Sequence, residues 1–147
     1  MAGGDELRGK YVDELSEGMS AIFTRTVTEA DIVLYSGISG DTNPVHLDQE
    51  FANSTMFKGR IAHGMLTAGF ISAVLGTRLP GPGSIYLSQS LKFKAPVRIG
   101  DTVRARATIT ALDRDKGRCT FATTAHVGDV LVLEGEAQSL VPKRPAA

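Results

Sequence analysis

One cysteine, Cys119, and no tryptophan occur in 147 residues. A lone thiol cannot form an intrachain disulfide, so the fold closes by burial alone. A single unpaired thiol suits a reducing compartment, and a cytoplasmic location is expected. Neither sign of charge dominates, with 16 Lys+Arg against 16 Asp+Glu. That balance gives no electrostatic case for binding nucleic acid or an anionic membrane. The longest apolar stretch, after His63, is interrupted by Gly69, Ser72 and Gly76 and is too short to span a bilayer, so no membrane insertion is expected. The first ten residues are polar and Gly-rich and lack the apolar region of a signal peptide. Only three histidines are present, and no His/Cys cluster shows metal-ligand spacing. There is no Gly-rich nucleotide loop of the Rossmann or P-loop kind and no internal repeat.

What is present reads as one globular domain over residues 1–147, with loose tails at about 1–10 and 142–147. Hydrophobic content of 42% and charged content of 22% are ordinary for such a domain. Residues 19–27 alternate weakly and predict a strand. Thr28 then reads as the N-cap of a short helix, with Glu29 and Asp31 in its first turn, running to Ser39 and ending at Gly40. Residues 48–53 predict another short helix. Residues 63–79 form the longest helical candidate. Met65, Leu66, Ala68, Phe70, Ile71, Ala73, Val74 and Leu75 cover nearly its whole circumference, which predicts a buried helix.

Everything later alternates as strand. Residues 84–95 carry Gln89 as the polar exception on their apolar side, and residues 101–112, 118–127 and 130–141 follow. Turn signals separate them, among them Gly128-Asp129. Cys119 falls in such an alternating segment and reads as a buried, inert thiol. One strand, a helical excursion and four strands on short turns imply an antiparallel sheet wrapped around a central helix, an α+β hot-dog arrangement. Its unpaired sheet edge predicts a homodimer.

Chemistry concentrates in Asp41-Thr42-Asn43-Pro44-Val45-His46. Pro44 fixes its own φ and biases Asn43 towards an extended conformation, so a helix cannot run through and a loop is expected. Asp41 and His46 on that loop can converge on one small molecule such as water. Asx-turn formation is the competing account of Asp41 and Asn43. A second loop, Arg60-Ile61-Ala62-His63-Gly64-Met65, opens the long helix. His63 reads as structural, near the helix start, and His126 receives no function.

Three blocks, in order, resemble the MaoC-like hydratases, and among them the short single-hot-dog (R)-specific enoyl-CoA hydratases. They are Asp41 to Asp48, Ile61 to Leu66, and Gly83 to Leu87 continuing through Phe93-Lys94-Ala95-Pro96-Val97 and Gly100-Asp101. The resemblance extends from about Gly18 to Val141. It implies (R)-specific hydration of trans-2-enoyl-CoA to (R)-3-hydroxyacyl-CoA, linking fatty acid β-oxidation to polyhydroxyalkanoate synthesis. It also implies that Asp41 and His46 activate the water, that Asn43 holds the loop and keeps the site polar, and that the Gly64 N–H meets the thioester carbonyl. Coenzyme A is then part of the substrate, and no metal or other cofactor is expected.

The chemistry agrees. Hydration of a conjugated double bond needs a base for water, a proton for C2, and a donor for an enolate-like oxygen. Histidine, a carboxylate and a helix N-terminus supply these. Met65, Ser72 and Leu75 are acyl-pocket candidates on one helical stripe, with core packing as the alternative. Lys92, Lys94 and Arg98 are candidates for the CoA phosphates, against a plain solvated face. The same site run backwards is a 3-hydroxyacyl thioester dehydratase, on CoA or an acyl-carrier protein. A hot-dog thioesterase or a silent acyl-CoA-binding subunit would not need the Asp41/His46 pair.

Overall fold

The computed structural model describes residues 6–146. Its strands are β1 (Ser20–Thr26), β2 (Ile85–Gln89), β3 (Lys92–Phe93), β4 (Thr102–Asp113), β5 (Arg118–Val127) and β6 (Val130–Leu140). Its α-helices are α1 (Glu29–Ser39), α2 (Pro44–Leu47), α3 (Gln49–Asn53) and α4 (Gly64–Thr77). The strands form one antiparallel sheet in the order β1-β4-β5-β6-β2, and β3 also pairs with β6. Helix α4 packs against β4, β1, β5 and β6, and so lies in the curl of that sheet.

Alternation builds the core. Val103, Ala105, Ala107 and Ile109 of β4 point inward beside Cys119, Phe121 and Ala125 of β5 and Leu133 and Ala137 of β6. They meet Leu66, Ala68, Ile71, Val74 and Leu75 of α4. Fully burying a side chain such as Ile71 contributes about 1.5–3 kcal/mol. Burial also pushes the Cys119 thiol up to about 12, which keeps it protonated and unreactive.

Helix α1 starts at a reciprocal cap. The Asp31 N–H donates to the Thr28 hydroxyl, and the Thr28 N–H donates to the Asp31 carboxylate. It stops at Gly40, which adopts the left-handed conformation with φ of 78°.

Four expectations need correction. Residues 44–47 are a single helical turn and not loop. Pro44 takes the first position, where no N–H is needed, and the Asn43 side chain accepts from the Val45 N–H at 3.1 Å. Helix α4 is not buried all round, since Met65, Gly69, Ser72 and Gly76 form an exposed stripe at spacings of four, three and four. The sheet covers the other faces, and at this stripe glycine and serine interrupt the apolar pattern.

Residues 84–95 divide into β2 and β3. The Gln89 amide turns inward to the buried Thr123 hydroxyl at 2.9 Å and also to the Ser90 carbonyl, which interrupts the strand there. Finally, the described parts of the two ends are not loose. Gly9 and Lys10 donate backbone hydrogen bonds to Pro82 and Pro80, Val12 donates to Pro142, and Arg144 pairs with Asp13 at 2.9 Å. Residues 1–5 and 147 lie outside the described residues.

Candidate active site

The excursion between β1 and α4 brings Asp41, His46 and His63 together. The Gly40 cap turns the chain so that Asp41 follows α1 directly, where its N–H donates to the Ser39 hydroxyl at 3.1 Å. One Asp41 carboxylate oxygen accepts from the Asn43 N–H at 3.3 Å. Asn43 thus ties the two ends of the turn, receiving from Val45 while donating to Asp41. The second Asp41 oxygen is available to a ligand.

His46 is buried on α2. Its Nδ1 lies 2.8 Å from the Ile61 carbonyl, which can only accept, so Nδ1 carries the proton and Nε2 keeps its lone pair. The Arg60 guanidinium donates to the His46 carbonyl at 2.6 Å and grips Glu29 of α1 through two bonds at 2.9 and 3.0 Å. This clamp fixes α2 against the start of α1.

His63 stands immediately before α4 and is 1% exposed. Its ring stacks on His46 with centroids 3.8 Å apart and planes 27° apart, and the Tyr35 ring lies 4.7 Å away. A carboxylate oxygen of Asp41 and one nitrogen from each histidine lie within 4.8 Å of one another. The sequence showed no such cluster, because position 63 is remote from 41 and 46 by any local spacing.

Asp41, His63 and Gly64 form the polar end of a cavity of about 450 Å³, continued by Phe93, Val97 and Leu133. His46 is not part of the lining and stands behind His63, its buried ring stacked on that one. Gly64 is the first residue of α4, and the helix's hydrogen bonding begins beyond it, with Leu66 donating to His63. Its N–H therefore belongs to the group a helix leaves for external partners. A Cβ at position 64 would stand 2.5 Å from the Phe93 ring, so only glycine lets that ring cover the helix end.

The remaining candidates scatter. Met65 lines the cavity and is 53% exposed. Ser72 lies instead in a shallow groove with Met65, Tyr86 and Leu91, between α4 and β2. Leu75 is enclosed in the core and lines neither space. Lys94 lies on the cavity wall and faces Glu134 at 3.5 Å. The Arg98 guanidinium is turned to the Phe57 carbonyl, where it holds the loop that carries Phe57 into the cavity wall. Lys92 is exposed on β3, away from the lining. Sequence reasoning gave no site role to Phe93, Phe57 or Arg60; Phe93 was read only as one of the apolar positions of the alternating 84–95 segment.

Residues 13–131 match the MaoC like domain. Over 140 residues the chain is 58% identical to an (R)-specific enoyl-CoA hydratase of Rhodospirillum rubrum, covering 95% of this chain and 97% of that protein. The unliganded R-hydratase of Pseudomonas aeruginosa superposes with a TM-score of 0.87 at 41% identity, over 92% of this chain and 88% of that one. The (R)-hydratase from A. caviae involved in PHA biosynthesis superposes at 0.84 with 43% identity, over 87% and 98%.

Proposed function

Because this chain belongs to the MaoC-like domain family, we propose that it catalyses the (R)-specific hydration of trans-2-enoyl-CoA to (R)-3-hydroxyacyl-CoA. The observation that carries this reading is the convergence of Asp41 and His46 beside an apolar cavity headed by Gly64. Water bridges the Asp41 carboxylate and His46 Nε2. His46 takes its proton as the oxygen bonds to C3, and the Gly64 N–H stabilises the enolate-like thioester oxygen. C2 then receives a proton from the pair, which completes the addition of one water. The reverse sequence is dehydration, at the same site.

The acyl chain enters the cavity past Phe57 and Phe93, with Met65 beside its mouth. Lys94 on the cavity wall supplies positive charge for the CoA phosphates, while Lys92 stands off the lining and Arg98 is engaged by the Phe57 carbonyl. Coenzyme A is the only carrier required, and no metal or redox group takes part. The enzyme works in the cytoplasm and connects fatty acid β-oxidation to polyhydroxyalkanoate synthesis, as the resemblance to the A. caviae enzyme supports.

Its working unit is a homodimer. Ile85, Tyr86 and Leu87 on the free edge of β2 are exposed beside the Met65–Gly69–Ser72 stripe, and a second copy covers both.

The test is the loss of enoyl absorbance with crotonyl-CoA and with a longer trans-2-enoyl-CoA, with chiral analysis of the product. Hydration to the (R) alcohol, unaffected by a chelator, is expected. Thioester cleavage without hydration, or an (S) product, overturns the assignment.

A further inference from the structure

The mechanism above uses two of three converging side chains. His63 is the third, and its contacts are too specific for a packing residue. Its Nε2 lies 2.9 Å from the Asp41 carbonyl and 3.1 Å from the Ser36 hydroxyl. A carbonyl only accepts, so Nε2 carries the proton and donates towards Asp41. That leaves the Nδ1 lone pair enclosed and without a partner among the described residues. An apolar residue here would avoid that cost, as would a ring turned to solvent. The same ring lies face to face with His46 at 3.8 Å.

We propose that His63 is a positioning residue for the Asp41/His46 pair, tethering the Asp41 backbone through Nε2–H and offering His46 a stacked ring face against which it becomes protonated. The proposal rests on the assignment of Asp41 and His46 as the reacting pair. Tyr35 and Ser36 of α1, Asp41 of the connecting turn and His46 of α2 are the polar or titratable groups that face His63. Arg60, neutralised by Glu29, reaches the far side of α2. Burial first, and then the neighbouring His46, hold the His63 imidazole below its ordinary range, against the pull of Asp41. The neutral ring can therefore support an imidazolium at His46 without opposing it.

Two substitutions separate the two contacts. His63→Phe keeps a ring face and loses the donor. Its kcat should fall at least about tenfold with KM little changed, while the acid limb of the pH profile stays in place. His63→Gln keeps an amide donor and loses the ring. Its kcat should fall less, and the acid limb should move down by about half a pH unit, because the imidazolium loses a cation–π partner.

Imidazole NMR of the unaltered protein decides the matter should either variant fail to fold. His63 should be the neutral Nε2–H tautomer at pH 7, with a slowly exchanging ring proton. The opposite tautomer, or a charged His63, overturns the proposal. So do folded variants that keep the parental kcat and pH profile, or that lose equally with no movement of the limb. Full turnover in Asp41→Asn would instead reject the pair itself. Loss in Asp41→Asn with unaffected His63 variants rejects only the positioning role.

Discussion

The sheet and the excursion from 28 to 63 are held together by different forces. Strands β4, β5 and β6 are knit by long ladders and a continuous apolar face centred on Phe121 and Leu133. The excursion buries few apolar side chains, Ile32, Ala52 and Ala62. It is fixed by separate polar contacts: the Thr28/Asp31 cap, the Asn43 and Asp48 caps, the Arg60 clamp and the His63 tether. Burial is tolerant of small shifts and cooperative over the whole domain. Point contacts fix atoms individually and contribute only about 0.5–1.5 kcal/mol each. Stability and the geometry of the proposed site therefore reside in different places, and substitutions should separate them.

The largest effect expected is on turnover, within the excursion. Asp41→Asn and His46→Gln should each lower kcat by about 10²–10⁴-fold. Their combination should cost little more than either, because both serve one step. Thermal unfolding should move little, and a large loss of melting temperature in either would merge the two regions again.

The converse holds in the core. Leu75→Ala should destabilise the fold by about 2–5 kcal/mol, since it empties a site enclosed on all sides. The ratio of kcat/KM between C4 and C8 enoyl substrates should stay as it was, because Leu75 does not line the cavity. A shifted ratio would mean that the acyl chain reaches the core side of α4.

A smaller effect concerns pH. The His63 imidazole is held down in the folded chain, while the unfolded chain protonates normally near pH 6.5. Below that value the unfolded state binds the extra proton, so stability should fall as pH drops from 7 to 5. A melting curve that is flat over this range would show that His63 titrates alike in both states.

The smallest effect is at the α1 cap. Asp31, drawn down to about 2 by Arg25 and also by the Thr28 N–H, should retain its contribution to about pH 4 and lose it only towards pH 2. Asp31→Asn should cost about 1 kcal/mol at neutral pH.

This division also explains what was legible in the sequence. Each strand of the core repeats a two-residue period, so β4 and β5 could be read within a residue of their ends. The cap at Thr28 was equally local. Asp41 and His46 could be proposed together because they share one short motif. His63 was placed at the helix start but separated from them, because stacking across 17 positions leaves no periodic trace. Phe93 escaped because its place in the apolar alternation of residues 84–95 reads as core packing, whereas its ring covers the start of α4. The exposed stripe of α4 was misread because glycine and serine among apolar residues look the same whether they face a core or a groove.

The crowding of Gly64 against Phe93 has a consequence for how this site can be interrogated genetically. The proposed oxyanion donor is a main-chain group, and no side-chain exchange removes it. Any residue put at 64 must first displace the ring 2.5 Å from its Cβ, so a dead Gly64→Ala enzyme would report the collision and not the donor. Pairing Gly64→Ala with Phe93→Leu relieves the collision and should restore part of the activity. Replacing the amide between His63 and Gly64 by an ester deletes the N–H with almost no change of shape. For this atom, chemical synthesis asks the question that codon changes cannot.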